Sequence, residues 1–501
     1  MRLFLAIAVC KILYFAGRLT GKGSSLPGRV ALALYPDALK KIKLPKTIIA
    51  ITGSNGKTST TEMVAHALSA GGLSVGWNHE GANQIEGVAT LILRVATLSG
   101  AVKCDALVFE CDERYARKVF EAVRPSAVVV TNLCRDQLTR NGHHEFIQNS
   151  IRTAIESAHP DTVAVRSGRP ETADISAAPH ETADISSGSG GDESKTGTGL
   201  KLILNADDPF TASLAAGRGD DRAAELYEHL FFGISRYAAP NDNGTQTQKR
   251  RAQGMYDDGA FCPVCKGRMD YDYRTAAHMG GYSCGSCGFT RPEPYIEATG
   301  LSLKTGEIAL NGGGSARLAF PSLSNAYNLA AAVTAATAAG IPAEDAARFL
   351  DGYELKGGRT LSFKTGSRDG ILLVSKHENS LSYDQSFAWL TGRRVPCTVI
   401  IMVDSISRKY YTSETSWLWD VNFEILADEC VRDIVLTGRY VNELAARLAV
   451  TSAPQEKIKC VGDTGALREC IGRCTDGEII AVTCFSDKDK LLSCLGAKVE
   501  S

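Results

Sequence analysis

No stretch of this 501-residue chain holds the ~18 consecutive apolar residues that a membrane-spanning helix needs. Excess charge is missing as well: 55 Lys and Arg stand against 56 Asp and Glu, a formal net charge of −1. General electrostatic binding to DNA or RNA needs a strongly basic surface, so nucleic acid is not an expected partner. A disulfide framework is also lacking. The fifteen cysteines are odd in number and scattered singly, apart from two Cys-x-x-Cys knuckles. That usage fits reduced thiols in a cytosol, and a cytoplasmic protein is expected. The apolar start, MRLFLAIAVCKILYFAG, is broken by Lys11 and is followed by no Ala-x-Ala cleavage site. Leu3, Ile7, Cys10, Leu13, Tyr14 and Gly17 recur at helical spacing, which predicts a helix docked on the protein's own core. A helix lying peripherally on the inner face of a membrane is the alternative.

The length calls for two or three domains. After a helical segment at 1–45, KTIIAITGSNGKTSTTEMVAHALSAGG reads strand, glycine loop, helix from residue 46. DALVFE (105–110), SAVVVT (126–131) and KLILN (201–205) continue at the spacing of repeated βα units. Residues 166–199, with ETADIS repeated at 171–176 and 181–186, are rich in Ser, Gly, Thr and Asp and read as a disordered insertion. A second insertion at 255–295 carries the knuckles, and SNAYNLAAAVTAATAAG (324–340) is a strong helix. The first domain is expected over 46–345. Beyond it, ILLVS, CTVIIMV, DIVLTG and EIIAVTCF predict a second α/β domain over 350–501.

Gly53-Ser54-Asn55-Gly56-Lys57-Thr58-Ser59 departs from the usual phosphate-loop spacing, because Ile51 stands where the first Gly belongs. Its context still suits phosphate. An apolar strand delivers it, Gly53 and Gly56 let backbone N–H groups turn onto phosphate oxygens, and a helix N-terminus follows. Lys57 would reach the β- and γ-phosphates and the Thr58 hydroxyl would ligate Mg²⁺. A plain glycine-rich turn would not need Lys and Thr to follow the second Gly, so ATP is the expected cofactor.

Cys262, Cys265, Cys284 and Cys287 have the spacing of a zinc ribbon. Four thiolates close the coordination sphere, so the Zn²⁺ is expected to be structural. A redox pair would explain one knuckle but not two. Gly267, Gly285 and Gly288 stand where knuckle turns favour positive φ. Loss of a knuckle cysteine is expected to loosen the insertion while ATP binding persists.

TGSNGKTST resembles the ATP loop of the Mur ligases and folylpolyglutamate synthases, which form amides through an acyl phosphate. Further segments match in order. Glu110 matches the magnesium-binding glutamate, and TNLCRDQLTRNG (131–142) resembles the TN-x-x-x-DH-x-D segment. NADDP, with Asn205, Asp207 and Asp208, matches the segment that contacts nucleotide. SNAYN matches the paired-Asn segment with Asn325 and Asn328, and Gly358-Arg359 resembles the Gly-Arg whose Arg reaches the γ-phosphate. Lys57 comes too early for a UDP-sugar domain to precede it, and Gln137 replaces the metal-binding His. With LPGRVALALYPDAL, EGANQIEGVAT, the knuckles and SETSWLWDVNFE, this resembles the Mur-ligase-like MurT branch, the synthase subunits of lipid II isoglutaminyl synthase.

The resemblance implies a P-loop α/β central domain with a mostly parallel sheet and a four-cysteine zinc-ribbon insertion. A smaller Rossmann-like α/β domain would follow. It further implies amidation of the D-glutamate α-carboxyl of the lipid II stem peptide, in a heterodimer with a GatD-type class I glutaminase subunit that supplies ammonia. Lys57 and Arg359 would serve the phosphoryl transfer. Glu414, in place of the branch's usual Asp, would complete the partner's Cys-His triad; a solvated surface acid is the other reading of Glu414. SKHENSLSYD (375–384) and VDSISRKYYTSETSW depart from the branch pattern. A ligase adding an amino acid, or a zinc-ribbon ATP-binding scaffold, are the rival functions.

Overall fold

A computed structural model describes residues 1–20, 24–79, 81–136, 144–158, 199–216, 227–238, 257–312, 314–356, 360–405 and 414–499. The repeated segment at 166–199 (all but its last residue), Gln137 and the Gly357–Arg359 junction lie outside the described residues.

The apolar runs become strands because they are buried on both faces. Strands β1 (Thr47–Thr52), β2 (Val75–Trp77), β3 (Ala106–Glu110), β4 (Ala127–Val130), β5 (Leu200–Asn205) and β6 (Tyr227–Ile234) pair in parallel in the order β6-β5-β4-β1-β3-β2. The knuckle segment forms its own antiparallel hairpin of β7 (Met269–Ala276) and β8 (Met279–Cys284). The main sheet is then extended by β9 (Ile296–Leu301), parallel to β6, and by antiparallel β10 (Glu307–Leu310) and β11 (Ser315–Arg317). One face of this nine-stranded sheet is covered by helices Arg2–Thr20, Leu26–Leu34, Ile85–Val95, Ala116–Val123 and His144–Ala158. The other is covered by Lys57–Ala70 and the alanine-rich Leu323–Ala338.

The second sheet has the order β16-β15-β14-β17-β13-β12-β18. Antiparallel β12 (Thr360–Thr365) leads into a parallel core of β13 (Arg368–Ser375), β14 (Cys397–Met402), β15 (Val431–Thr437), β16 (Ile458–Val461) and β17 (Glu478–Cys484), with a short edge strand β18 (Lys498–Val499). The expected break at 345–350 falls too early. Helix Ala343–Phe349 packs its Ala346 and Ala347 in the core of the first sheet. Beyond it, Tyr353 stacks on His66 at 4.0 Å between ring centroids and donates to Glu62, which also accepts from the Lys356 N–H at 2.7 Å. The chain therefore stays on the phosphate-loop helix as far as Lys356.

In a parallel sheet, ligand chemistry gathers where the strands end at their carboxyl edge. Four of the sequence segments singled out in the first domain sit there, on the adjacent strands β3, β1, β4 and β5, and the fifth, SNAYN, opens helix Leu323–Ala338.

Candidate active site

The phosphate loop leaves β1 with Gly53 at φ +121° and Gly56 at φ +84°. A side chain at Gly53 would come within 2.3 Å of the Thr131 hydroxyl, and one at Gly56 within 2.2 Å of Asn328 Oδ1. Both glycines are therefore required by conformation and by close approach. The loop is strapped to the segment after β4. Ser54 N–H donates to Asn132 O at 2.8 Å, Asn55 N–H to Asn132 Oδ1 at 3.0 Å, and Thr131 Oγ1 to Asn55 O at 2.6 Å. Ser54 Oγ also accepts from Cys134 N–H. Ser59 follows in the first helical turn, half-buried. Those first-turn N–H groups have no partner within the helix, which suits an anion, and the buried Asn55 Nδ2 has no partner among the described residues.

The expected magnesium pair meets: Thr58 Oγ1 donates to Glu110 Oε2 at 2.6 Å. Lys57 Nζ lies 2.6 Å from Glu113 Oε1 and also reaches the Gly53 carbonyl. Burial alone would push the Lys57 ammonium down in pKa, but Glu113, helped by Asp136 and Glu110, outweighs it and holds it above its ordinary value. Lys57 is thus kept charged where phosphate would bind.

Asn328 faces the loop, within 3.4 Å of Thr60 Oγ1, and donates to Asn325 Oδ1 at 3.4 Å. The side chains of Asn205, Asp207 and Asp208, expected at the nucleotide, are engaged within the protein. All three are fully buried. Asn205 donates to Thr131 O, and Asp207 accepts from Arg291, Tyr327 and Ile234 N–H. Asp208 accepts from Leu133 N–H at 2.6 Å, Thr211, Phe210 N–H and His278. With their oxygens engaged, these side chains brace the loop from behind.

Two residues that sequence reasoning missed come from the second sheet. Lys376, just after β13, donates to Ser54 O at 3.0 Å and pairs with Asp136. Asn379 Nδ2 donates to the other Asp136 oxygen at 3.0 Å. Burial pulls the Lys376 ammonium below its usual pKa despite Asp136, and nearby Lys57 pulls the same way. Between them Glu378 is buried at φ +49°, strain of the kind that collects at functional sites. The departure of SKHENSLSYD from the branch pattern was the available signal. A further contact, Arg135 to Asp420 at 3.8 Å, ties the same segment after β4 to the turn Ser416–Asp420. His377 Nε2 lies 2.9 Å from Ser486 Oγ, and Cys484 Sγ is 3.7 Å from that hydroxyl.

Glu414 is exposed and accepts from Ser416 N–H at 2.7 Å, capping the short turn Ser416–Asp420. The hydrogen bonds from Ser416 hold its carboxyl below the usual range. Arg359 falls outside the described residues.

In the hairpin, Cys262 and Cys287 sulfurs lie 3.7 Å apart, Cys265 and Cys284 3.5 Å, and all four within 4.8 Å of one another. A tetrahedron with Zn–S bonds of about 2.3 Å has edges of about 3.8 Å, so the four sulfurs fit zinc. The knuckle turns are equivalent in position but not in residue. Gly288 has φ +73°, and Lys266, not Gly267, has φ +65° on the other knuckle. Gly267 and Gly285 take no left-handed conformation; Gly267 is there for space, since a side chain would meet Ser286 Oγ at 2.5 Å. The hairpin is bound tightly to the 206–208 segment: His278 to the Asp208 carboxylate at 3.2 Å, Tyr282 OH to the Ala206 carbonyl at 3.0 Å, and Gly280 N–H to the Asp207 carbonyl at 2.8 Å.

Comparison with known proteins accords with this geometry. Residues 51–196 match the Mur ligase middle domain and residues 377–483 the MurT ligase C-terminal domain. The lipid II isoglutaminyl synthase (glutamine-hydrolyzing) subunit MurT of Staphylococcus aureus (strain N315) is 27% identical over 451 residues, 89% of this chain and 88% of that protein. The subunit of the same name from Streptococcus pneumoniae (strain ATCC BAA-255 / R6) is 27% identical over 443 residues, 87% and 84% of the two chains. Among solved structures, a pseudomurein peptide ligase type C from Methanothermus fervidus superposes with TM-score 0.62 at 18% identity, over 92% of this chain and 80% of that one. MurF from Acinetobacter baumannii gives TM-score 0.57 at 16% identity, over 93% and 80%. At such identities these two structures speak for the fold alone. Phosphate loop, carboxylate pair and second sheet thus agree with both domain matches, and the chain is similar to the MurT subunits, with a middle domain like that of the Mur ligases.

Proposed function

We propose that this chain is the ATP-dependent carbon–nitrogen ligase subunit of an amidotransferase. It activates the D-glutamate α-carboxyl of a lipid II stem peptide as an acyl phosphate and converts it to the amide, D-isoglutamine. The observation that carries this reading is Lys376 of the second sheet seated on the phosphate loop beside Asp136, so that two parallel sheets present their carboxyl edges to one site.

A carboxylate resists attack by an amine until one oxygen becomes part of a good leaving group. The carboxylate oxygen takes the γ-phosphoryl group and ADP leaves. Ammonia then attacks the acyl carbon, the C–O bond to phosphate breaks, and a proton is lost from nitrogen. Lys57, kept charged by Glu113, neutralises the transferring group, and Lys376 brings a second amine to the loop from the second domain. Thr58 and Glu110 would hold Mg²⁺, which when bound draws negative charge off the phosphates. Asn328 borders the loop where nucleotide would lie, and Arg359 would extend the cationic set.

The nitrogen source is read from Glu414. Its carboxylate is exposed, its hydrogen bond from Ser416 favours the ionised form, and among the described residues no buried partner keeps it from a neighbouring protein's imidazole. A carboxylate so placed can orient the histidine of a glutaminase subunit. Glu414→Ala, assayed with that subunit, is expected to lower glutamine-supported amidation of lipid II by about a hundredfold or more. Amidation supported by free ammonia should stay within about twofold, because Glu414 is remote in role from phosphoryl transfer. Equal rates with glutamine before and after the substitution would remove Glu414 from the triad. No amide from either nitrogen source would remove the assigned reaction.

A further inference from the structure

The N-terminal helix Arg2–Thr20 is apolar on two sides, and the body of the protein covers just one. Ile7, Cys10 and Tyr14 are buried in the core beneath helices Leu26–Leu34 and Ile85–Val95. On the opposite side Met1, Phe4, Leu5, Ile12 and Phe15 stand open, the last four at 52, 52, 67 and 65% exposure. At helical geometry these five fall within an arc of about 100°. Single exposed apolar residues are ordinary, but a contiguous stripe of large ones along a helix marks a surface that meets something else.

Charge identifies what it meets. Residues 1–46 contain nine Lys and Arg and a single acid, Asp37, in a chain whose net charge is −1. Of the eight that lie among the described residues seven are exposed, including Arg2, Arg18, Arg29 and Lys43. Lys43 is placed at the start of the helix: its N–H donates to Gly100 O at 2.8 Å, and Leu3 packs against Gly100. A second copy of the same face would bring like charges together, which disfavours self-association. An anionic bilayer surface answers both features, taking the apolar stripe among its acyl chains and the cations at its headgroups. No helix among the described residues is long and apolar enough to cross a membrane, so the contact is a docking one.

We propose that the exposed Met1–Phe4–Leu5–Ile12–Phe15 stripe, with the cations of the N-terminal segment, docks this protein on an anionic membrane surface. The inference does not depend on the proposed reaction, although a lipid-linked acceptor would give the docking its use.

The test is co-sedimentation of the full chain with vesicles of mixed phosphatidylglycerol and phosphatidylcholine, and with phosphatidylcholine alone. The expected result is binding to the anionic vesicles that weakens as salt is raised. Phe4→Ser/Ile12→Ser/Phe15→Ser should lower that binding about tenfold or more with ATP affinity unchanged. Arg2→Glu/Arg18→Glu/Arg29→Glu should lower it independently, so a folding defect in one variant would not decide the matter. Absence of binding to anionic vesicles, equal binding to phosphatidylcholine alone, or undiminished binding by both variants would overturn the proposal. So would a dimer in solution that the serine variant splits while vesicles are ignored, since the stripe would then belong to a second copy.

Discussion

Lys57→Met lowers ATP-dependent phosphate release by about a thousandfold or more, because it removes the cation from the point where phosphoryl charge gathers. The substitution also strands Glu113, which is 4% exposed and has Lys57 at 2.6 Å. Breaking one side of a buried pair costs about 3–5 kcal/mol, so the melting temperature should fall as well. Lys57→Met/Glu113→Gln separates the two effects. It removes the stranded Glu113 charge, and much of the stability should return while phosphate release does not. Recovery of turnover in the double variant, or turnover untouched in the single one, would show that Lys57 serves the fold and not the reaction.

Zinc removal has the second largest expected effect, and here the structure changes what the spacing of the knuckles suggested. Taken alone, the ribbon is an insertion whose loss should spare ATP binding. In the fold, however, its hairpin grips the very carboxylates that support the phosphate loop. His278 holds Asp208, Asp208 holds the Leu133 N–H, and the 131–134 segment carries Ser54 and Asn55. Arg291, just past the second knuckle, pairs with Asp207 at 2.7 Å. Burial alone would keep the His278 imidazole neutral, but its hydrogen bond and charge interaction with Asp208 raise its pKa, while the same pairing lowers that of Asp208 against its own burial. Chelation, or Cys284→Ser, should therefore loosen the ribbon and weaken ATP binding by about tenfold or more, since a structural zinc site supplies folding free energy directly. Hydrogen exchange should rise in 269–284 and also in 131–136. Faster exchange confined to the ribbon, with ATP affinity intact, would return it to the status of an isolated clip.

How much of this was legible in the sequence differs from residue to residue, for physical reasons. The strands ending at Thr52, Glu110, Val130 and Asn205 were readable because a buried parallel strand needs a continuous apolar run, and a phosphate loop needs its glycines and Lys-Thr in immediate succession. Thr58 and Glu110 could be paired by resemblance, and they stand 2.6 Å apart. Glu113 could not, since nothing local distinguishes it from Asp112 or any other acid after a strand. Lys376 and Asn379 meet Asp136 across 240 and 243 residues of sequence, a distance no local pattern encodes. NADDP was recognisable as a segment, yet its burial, and hence its bracing part, depends on the ribbon that folds over it. Likewise glycine is the usual residue for a left-handed knuckle turn, but Lys266 adopts that conformation on the first knuckle because the Cys262 N–H to Gly267 O bond closes the turn around it. Strands β9–β11 went unpredicted because the knuckle insertion separates them from the regular βα spacing that revealed the rest.

The central claim is that this chain makes a carboxylate electrophilic by phosphorylating it. The direct measurement is to supply ATP, Mg²⁺ and lipid II with hydroxylamine as the sole amine, and to follow ADP and the hydroxamate of the D-glutamate α-carboxyl together. The account predicts hydroxamate in proportion to ADP, and neither product with Lys57→Met. ADP released at the same rate without lipid II, or with no hydroxamate formed, would contradict it.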